Sequence, residues 1–567
     1  MRRFGWIACV AICFCSWGSP ASAAEPSPKP RLVILIFFDQ LRGDYLARWE
    51  SSFGPGGFRR LMKDGAWWTN CHYPYAYTVT GAGHASVATG FNPSEHGIVG
   101  NDWYERPSTS AVNCVSNARF ERVPPKIVAP IEVPVTPNEE ETPKLKLLGI
   151  APERMMKPSI ADIYKSNGGR VVSLSFKDRG AVLPGGRSPD ACYWFDSNTG
   201  EFVTSAYYRD RLHSWMDAFN RSGKVDRWRD RSWDHLRPDL NYVHLVGGDD
   251  LDGEGKGVAQ GRAFPHLFAP SAVKTKAGYY KALYNSPFAN DLMLELAKES
   301  IKAERLGADD VPDLLSISFS CNDAIGHTWG PDSQEVLDVT LRSDAMMKEL
   351  LDFLDAQVGV GKYDVVVTAD HGVCPLPEQS KREGRDAGRI SPAVMLKKAE
   401  LHLSERFGAG KGSWIESKTG PGLYLQHETA KARGVELVAV QNELAKWLRE
   451  QPGIEKVYTR EQLESKVATD DKTLAAWRLS YYSDRCGDVF IVQKPYYLFS
   501  GEKETGTTHG TPHEYDTHVP LLIFGANVKA GQHAERVSPL SASAILAKLG
   551  GMTPTKGSAE APTGWME

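Results

Sequence analysis

Several things are missing from this sequence, and each absence removes a class of protein. Positive charge is not in excess: 66 Lys and Arg stand against 70 Asp and Glu, a formal net charge of −4, so the electrostatic footprint of a nucleic-acid binder is absent. Beyond the N-terminus no apolar run approaches the roughly 20 residues of a membrane-spanning helix. No repeat of fixed period occurs, which removes solenoids and propellers. Cysteine is scarce, 9 in 567 residues, and those beyond residue 24 lack the C-x-x-C spacing of a thiolate zinc site.

The remaining composition is that of a folded chain, with 41% hydrophobic and 24% charged residues and 15 Trp; disorder is excluded as a default. The N-terminus places Arg2 and Arg3 before an apolar stretch from Phe4 to Trp17, then Pro20 and Ala21-Ser22-Ala23-Ala24. That order reads as a signal peptide over residues 1–24. The mature chain is then exported, periplasmic or secreted, with no stable membrane span, and is expected to be a monomer. Loss of Arg2 and Arg3 takes the net charge from −4 to −6. Cys71, Cys114, Cys192, Cys321, Cys374 and Cys486 remain in a compartment where disulfides persist, although the sequence selects no pairing.

Four short apolar runs, Leu32–Phe38, Val171–Phe176, Leu314–Phe319 and Val365–Thr368, end in polar or Gly-rich turns and read as strands buried on both faces. A fifth spans Val519–Phe524. Helical patterns cover Phe58–Lys63, Val336–Leu354 and Leu540–Leu549. Strands alternating with helices predict an α/β fold, a three-layer α/β/α sandwich around a mostly parallel sheet. One domain over residues 25–567 is expected, its sheet core drawn from about 30–190, 310–390 and 485–567. The stretch from Arg106 to Pro158 reads as an insertion loop. Segments of about 190–290, dense in Trp, Tyr, Asp and Arg, and about 390–485, helix-rich, read as inserted cap regions.

Ligands of open α/β sheets sit beyond the carboxyl ends of the strands, and here the residues at those ends are metal-ligand types. Asp39 ends the first run. Asp323 and His327 follow the third, four residues apart, so that a helix would turn both to one face. Asp370 and His371 follow the fourth, and reach one ion only if the chain bends, which Gly372 would permit. His509 lies in Thr507-Thr508-His509-Gly510, with His513 and His518 as competitors. Six such side chains fill two sites of three ligands each, the number a catalytic zinc takes while keeping a position open. Thr80, before a Gly-containing turn that opens a predicted helix, is the candidate nucleophile, because a helix N-terminus favours an alkoxide and a phosphate. His84 and His96 read as structural turn histidines.

In combination these segments resemble the alkaline phosphatase superfamily, and within it the periplasmic monoesterase branch, the PafA-type alkaline phosphatases. The resemblance runs over nearly the whole mature chain. It includes Phe37-Phe38-Asp39, Thr80-Gly81-Ala82-Gly83-His84, the stretch from Asn92 through Asn101 to Trp103, Lys177-Asp178-Arg179, Asp323 to His327, Asp370-His371-Gly372 and His509-Gly510-Thr511-Pro512. Ala82 departs from the proline expected there and removes no functional group. The resemblance implies hydrolysis of small-molecule phosphate monoesters with two zinc ions, one held by Asp323, His327 and His509, the other by Asp39, Asp370 and His371. Thr80 becomes the nucleophile and a metal ligand, its alkoxide stabilised by the second zinc. Asn101, Lys177 and Arg179 become the binders of the non-bridging phosphoryl oxygens.

A nucleotide phosphodiesterase of the same superfamily would share the ligands and the threonine, but Lys177 and Arg179 suit the more highly charged monoester. A sulfatase would need C/S-x-P-x-R, and neither Cys71 nor Cys374 opens that pattern. A non-catalytic zinc-binding exported protein would be expected to have lost a ligand or the nucleophile, and none is missing.

Overall fold

The computed structural model describes Met1 and residues 29–125, 149–268, 273, 275–409, 412–501 and 504–566. The expected signal peptide, Met1 apart, and the middle of the expected 106–158 loop lie outside the described residues.

The strand Leu32–Phe38 is buried at every position. It pairs in parallel with Asp313–Phe319 on one side and Tyr363–Thr368 on the other. A strand so apolar needs cover on both faces. One helical layer contains Thr80–Thr89, Ile160–Ser166, Asp178–Gly185 and Ser541–Leu549; the other contains Phe58–Asp64, Phe288–Ala303, Cys321–Trp329 and Gln334–Leu354. The central sheet has ten strands among the described residues, in the order Gly531–His533, Ala66–Trp68, Leu521–Phe524, Tyr363–Thr368, Leu32–Phe38, Asp313–Phe319, Val171–Ser175, Ala191–Asp196, Glu201–Ser205, Arg122–Val123. This is a mostly parallel α/β/α sandwich.

Two members run against the rest. Leu521–Phe524 is antiparallel to both neighbours. The chain reaches it from Tyr515 and Asp516, whose carbonyls accept the Val373 and Gly372 amides, so it is already at the carboxyl edge and must run back. Glu201–Ser205 folds back on Ala191–Asp196. Both of these strands lie past residue 190, so the sheet continues where the sequence sets the start of the first inserted segment. Phe195 and Phe202 close against Phe176, with ring centroids 4.6 and 5.7 Å away.

The second inserted segment contains more strand than its helical pattern suggests. Its strands Ile415–Thr419, Gly422–Leu425 and Ile454–Thr459 form a separate antiparallel sheet with Val489–Gln493, which lies just past the expected end of the segment, over a separate core that includes Leu403, Leu444, Leu448 and Ile491. Ile415–Thr419 is only half buried throughout, which hides it from a search for apolar runs. All six cysteines expected in the mature chain are free and buried. They act as small apolar side chains in separate parts of the core, and no disulfide joins them.

Candidate active site

Strand register decides which residues meet. Phe38 lies opposite Phe319, Phe37 opposite Thr368 and Ser318 opposite Ser175. Asp39, Asp323, Asp370 and Lys177 therefore leave the sheet at one edge. Asp323 and His327 lie on the helix Cys321–Trp329, and the four-residue spacing brings His327 Nε2 to 3.1 Å from Asp323 Oδ1. His509 arrives from the far end of the chain, its Nε2 3.7 Å from the same oxygen. His513 and His518 do not join: their Nε2 atoms face the carbonyls of Gln493 and Thr69.

Three imidazoles share one device. His327 Nδ1 faces the Thr507 carbonyl at 2.7 Å, His371 Nδ1 that of Gly372 at 2.9 Å and His509 Nδ1 that of Thr78 at 2.8 Å. A carbonyl can only accept, so each Nδ1 carries a hydrogen and each ring turns its Nε2 into the cluster, the orientation of metal-ligating histidines.

Two groups of side chains could hold a metal ion, Asp323 with His327 and His509, and Asp39 with Asp323 and His371, ligand atoms in each lying within 4.8 Å of one another. Asp323 thus belongs to both. Asp370 stands beside the second group, its Oδ2 3.4 Å from His371 Nε2. Both Asp39 oxygens and Asp370 Oδ2 are buried without a well-aligned hydrogen bond, although Lys177 Nζ lies 2.7 Å from Asp39 Oδ2. Three buried carboxyl groups converge there on one lysine ammonium. Buried charge left so short of compensation fits cation ligation.

Each ionisation follows from its neighbours. Burial and the Asp370 carboxylate push Asp39 well above the usual carboxylate range, against Lys177. Burial acts on Asp323 in the same sense, but His327 and Lys177 together hold it well below that range, and Asp323 in turn pushes His327 up against its burial. Burial and repulsion from His371 and His327 push His509 well down. A proton-free imidazole is the form that ligates.

Thr80 opens the helix Thr80–Thr89. Its Oγ1 lies 3.3 Å from Lys177 Nζ and 3.4 Å from His371 Nε2. Thr78, two residues earlier, commits its hydroxyl to the Thr511 carbonyl at 3.0 Å. The helix can start here because of Gly83, where a Cβ would stand 2.2 Å from the Asp370 carbonyl oxygen. Asn101 Oδ1 accepts the Gly81 amide at 2.7 Å, leaving its NH₂ group free to donate. Arg179 is held less directly: Nη1 is 3.6 Å from Asp178, and Nε is buried without a partner.

Gly372 plays a different part from the one expected. Its backbone is not left-handed, but a Cβ would stand 2.1 Å from the Tyr515 carbonyl oxygen, so what glycine supplies is close approach. Two positioning residues escaped the sequence reading. Gln40, left-handed at φ 68°, donates its amide to Asp370 Oδ1 at 3.1 Å and its Nε2 to Asp323 Oδ1 at 2.7 Å. A strained residue tying two such carboxylates marks a functional turn; its adjacency to Asp39 was the one available signal. His84 is more than a turn histidine, since its Nδ1 faces the Thr80 carbonyl at 2.9 Å and Asp370 Oδ2 at 3.3 Å. His96 is structural, bonded to Ser86 at 2.9 Å.

A metal-ready cluster and a buried threonine hydroxyl, beyond the carboxyl edge of a mostly parallel sheet, define a hydrolase of the α/β/α class. The family model for type I phosphodiesterase / nucleotide pyrophosphatase matches residues 33–516. Alkaline phosphatase PafA of Elizabethkingia meningoseptica is 31% identical, with 93% of each chain covered, and alkaline phosphatase PhoV of Synechococcus elongatus is 29% identical, with 92% of each covered. The crystal structure of wild-type PafA superposes with a TM-score of 0.83 at 30% identity, over 94% of this chain and 98% of that one. The chain belongs to the alkaline phosphatase superfamily, in its PafA-type branch, and is a phosphatase.

Proposed function

We propose that this chain hydrolyses small-molecule phosphate monoesters through a phosphothreonine on Thr80. The observation that carries the reading is the position of Lys177, whose ammonium lies within 3.3 Å of the Thr80 hydroxyl while anchored to Asp323 and Asp39 at 2.6 and 2.7 Å. A monoester dianion offers three charged terminal oxygens, whereas a diester has one blocked.

Lys177, Arg179 and the Asn101 amide would bind those oxygens, and the helix N-terminus behind Thr80 adds N–H groups of favourable sign. Thr80 Oγ would attack phosphorus in line and form the P–O bond as the alcohol departs on the opposite side. Water would then attack the phosphothreonine, releasing phosphate and restoring the hydroxyl. Asp323, His327 and His509 would hold one zinc, and Asp39, Asp370 and His371, with the Thr80 oxygen, a second; such ions, when bound, lower the pKa of hydroxyl groups and water and stabilise developing negative charge. Asp323, which belongs to both candidate groups, would be common to them. His84 and Gln40 would orient Asp370 and Asp323. The same reading takes the protein as exported after loss of residues 1–24, and as a monomer.

The matched family description favours one rival, a nucleotide phosphodiesterase. A kinetic panel of monoester, diester and sulfate ester on metal-analysed protein separates them. The monoester is expected to have the highest kcat/KM, and a higher value for either other substrate overturns the proposal.

A further inference from the structure

Tyr284 ends the helix Lys276–Tyr284 in the first inserted segment. Its ring stacks on Phe176 with centroids 5.8 Å apart and planes 8° from parallel, and Phe176 immediately precedes Lys177. The next residue, Asn285, is buried and locked on every side. Its Oδ1 accepts from the Thr328 hydroxyl at 3.2 Å, its Nδ2 donates to Gln260 Oε1 at 3.0 Å and its carbonyl accepts Gln260 Nε2 at 3.0 Å. Thr328 follows His327 on the same helix. Tyr284 is therefore pinned to both elements that deliver the site, the Lys177 strand end and the Asp323–His327 helix.

Phe176 leads straight into Lys177, so the Tyr284 ring stands at the strand end that delivers that ammonium. Among the described residues none makes a hydrogen bond to its hydroxyl. A part-buried phenol tends to find a partner, and this one stands on Phe176, at the strand end that delivers the two cations read as phosphoryl binders.

We propose that the Tyr284 hydroxyl is a substrate-contacting donor, making a hydrogen bond to a non-bridging oxygen of the bound phosphoryl group next to Lys177 and Arg179. The inference rests on the monoesterase reading of that site. A phenol keeps its proton at neutral pH, and burial here pushes it further up against the pull of Lys177, so the group donates. It carries no charge, and it thus adds direction to the binding of the dianion without competing with Lys177 for Asp39 or Asp323.

The test compares Tyr284→Phe with Tyr284→Ala and Thr80→Ala in the full chain at matched metal content. Aryl phosphates spanning a range of leaving-group acidities are the substrates, and inorganic phosphate is the inhibitor. Tyr284→Phe, which keeps the ring on Phe176, is expected to lower monoester kcat/KM by roughly ten- to hundredfold, the range for a hydrogen bond to a charged group. The loss should be the same for every leaving group, and inhibition by phosphate should weaken in step. Wild-type kinetics for Tyr284→Phe, with loss only in Tyr284→Ala, would assign the ring to packing and overturn the inference. A loss that varies with the leaving group overturns it as well, by moving the contact to the departing oxygen. Either result, on a wild-type protein that hydrolyses monoesters and depends on Thr80, leaves the monoesterase reading intact. A wild-type protein without that activity would remove both.

Discussion

Lys177 donates to Asp323 across 146 residues of sequence at 2.6 Å, so the ammonium beside Thr80 is fixed by a carboxylate that both candidate metal groups share. Burial disfavours the charged lysine, but Asp323 and Asp39 more than offset it and hold the group above its ordinary range. Its position and charge are set before any substrate arrives.

On the proposed monoesterase reading, Lys177 and Arg179 are the specificity elements. Replacing both by Ala should reduce monoester kcat/KM by about two to four orders of magnitude, taking about 1.5–3 kcal/mol for each charge-assisted contact. Diester kcat/KM should fall much less, because the blocked oxygen made a poor partner from the start. Equal losses in side-by-side assays would count against the assignment.

Thr80→Ala should abolish phosphoenzyme formation and reduce turnover by several orders of magnitude, with metal content nearly unchanged. Thr78→Ala removes only the bond to the Thr511 carbonyl, and should lower stability by about 1 kcal/mol while keeping most activity. Rapid-quench labelling with radioactive phosphate ester checks both. Label retained in the Thr80→Ala variant would move the nucleophile elsewhere.

Metal retention should depend unequally on the three aspartates. Asp323 contributes to both groups, so Asp323→Asn should lose more metal than Asp370→Asn, and elemental analysis after dialysis reads the difference. A chelator should abolish activity in the unaltered chain, and added zinc should restore it. Similar metal content in both variants would argue against a shared ligand.

Asp364 predicts a pH effect away from the site. Burial pushes its carboxyl up from 3.8 to about 7, and Oδ2 has no partner. The folded chain therefore keeps a proton that the unfolded chain releases. The stability this proton contributes is complete below about pH 4, is lost as pH rises through about 7, and then levels off. Asp364→Asn has no such proton to lose. Relative to wild type, its urea midpoint should rise between pH 5 and pH 8 by the equivalent of at most about 3 kcal/mol. A difference independent of pH would show that Asp364 ionises freely in the fold.

The apolar runs at Leu32, Val171, Leu314 and Val365 were legible because strands buried on both faces must be continuously apolar, and the residues just past them were legible because that edge is where chemistry sits. Ile415–Thr419, half buried and polar, gave no such signal, and Gln40 and Tyr284 are residue types found anywhere in a folded chain.

By itself, then, the sequence determined the fold class and which side chains of metal-ligand and hydroxyl type follow the strands, since burial pattern and ligand type are properties of short segments. Only the tertiary structure decided that Asp323 stands in both metal groups, that Lys177 reaches Thr80, that Gln40 and His84 steer the carboxylates and that the six buried cysteines stay unpaired. These depend on strand register and on glycine-permitted close approaches between segments hundreds of residues apart, and no local pattern encodes such distances.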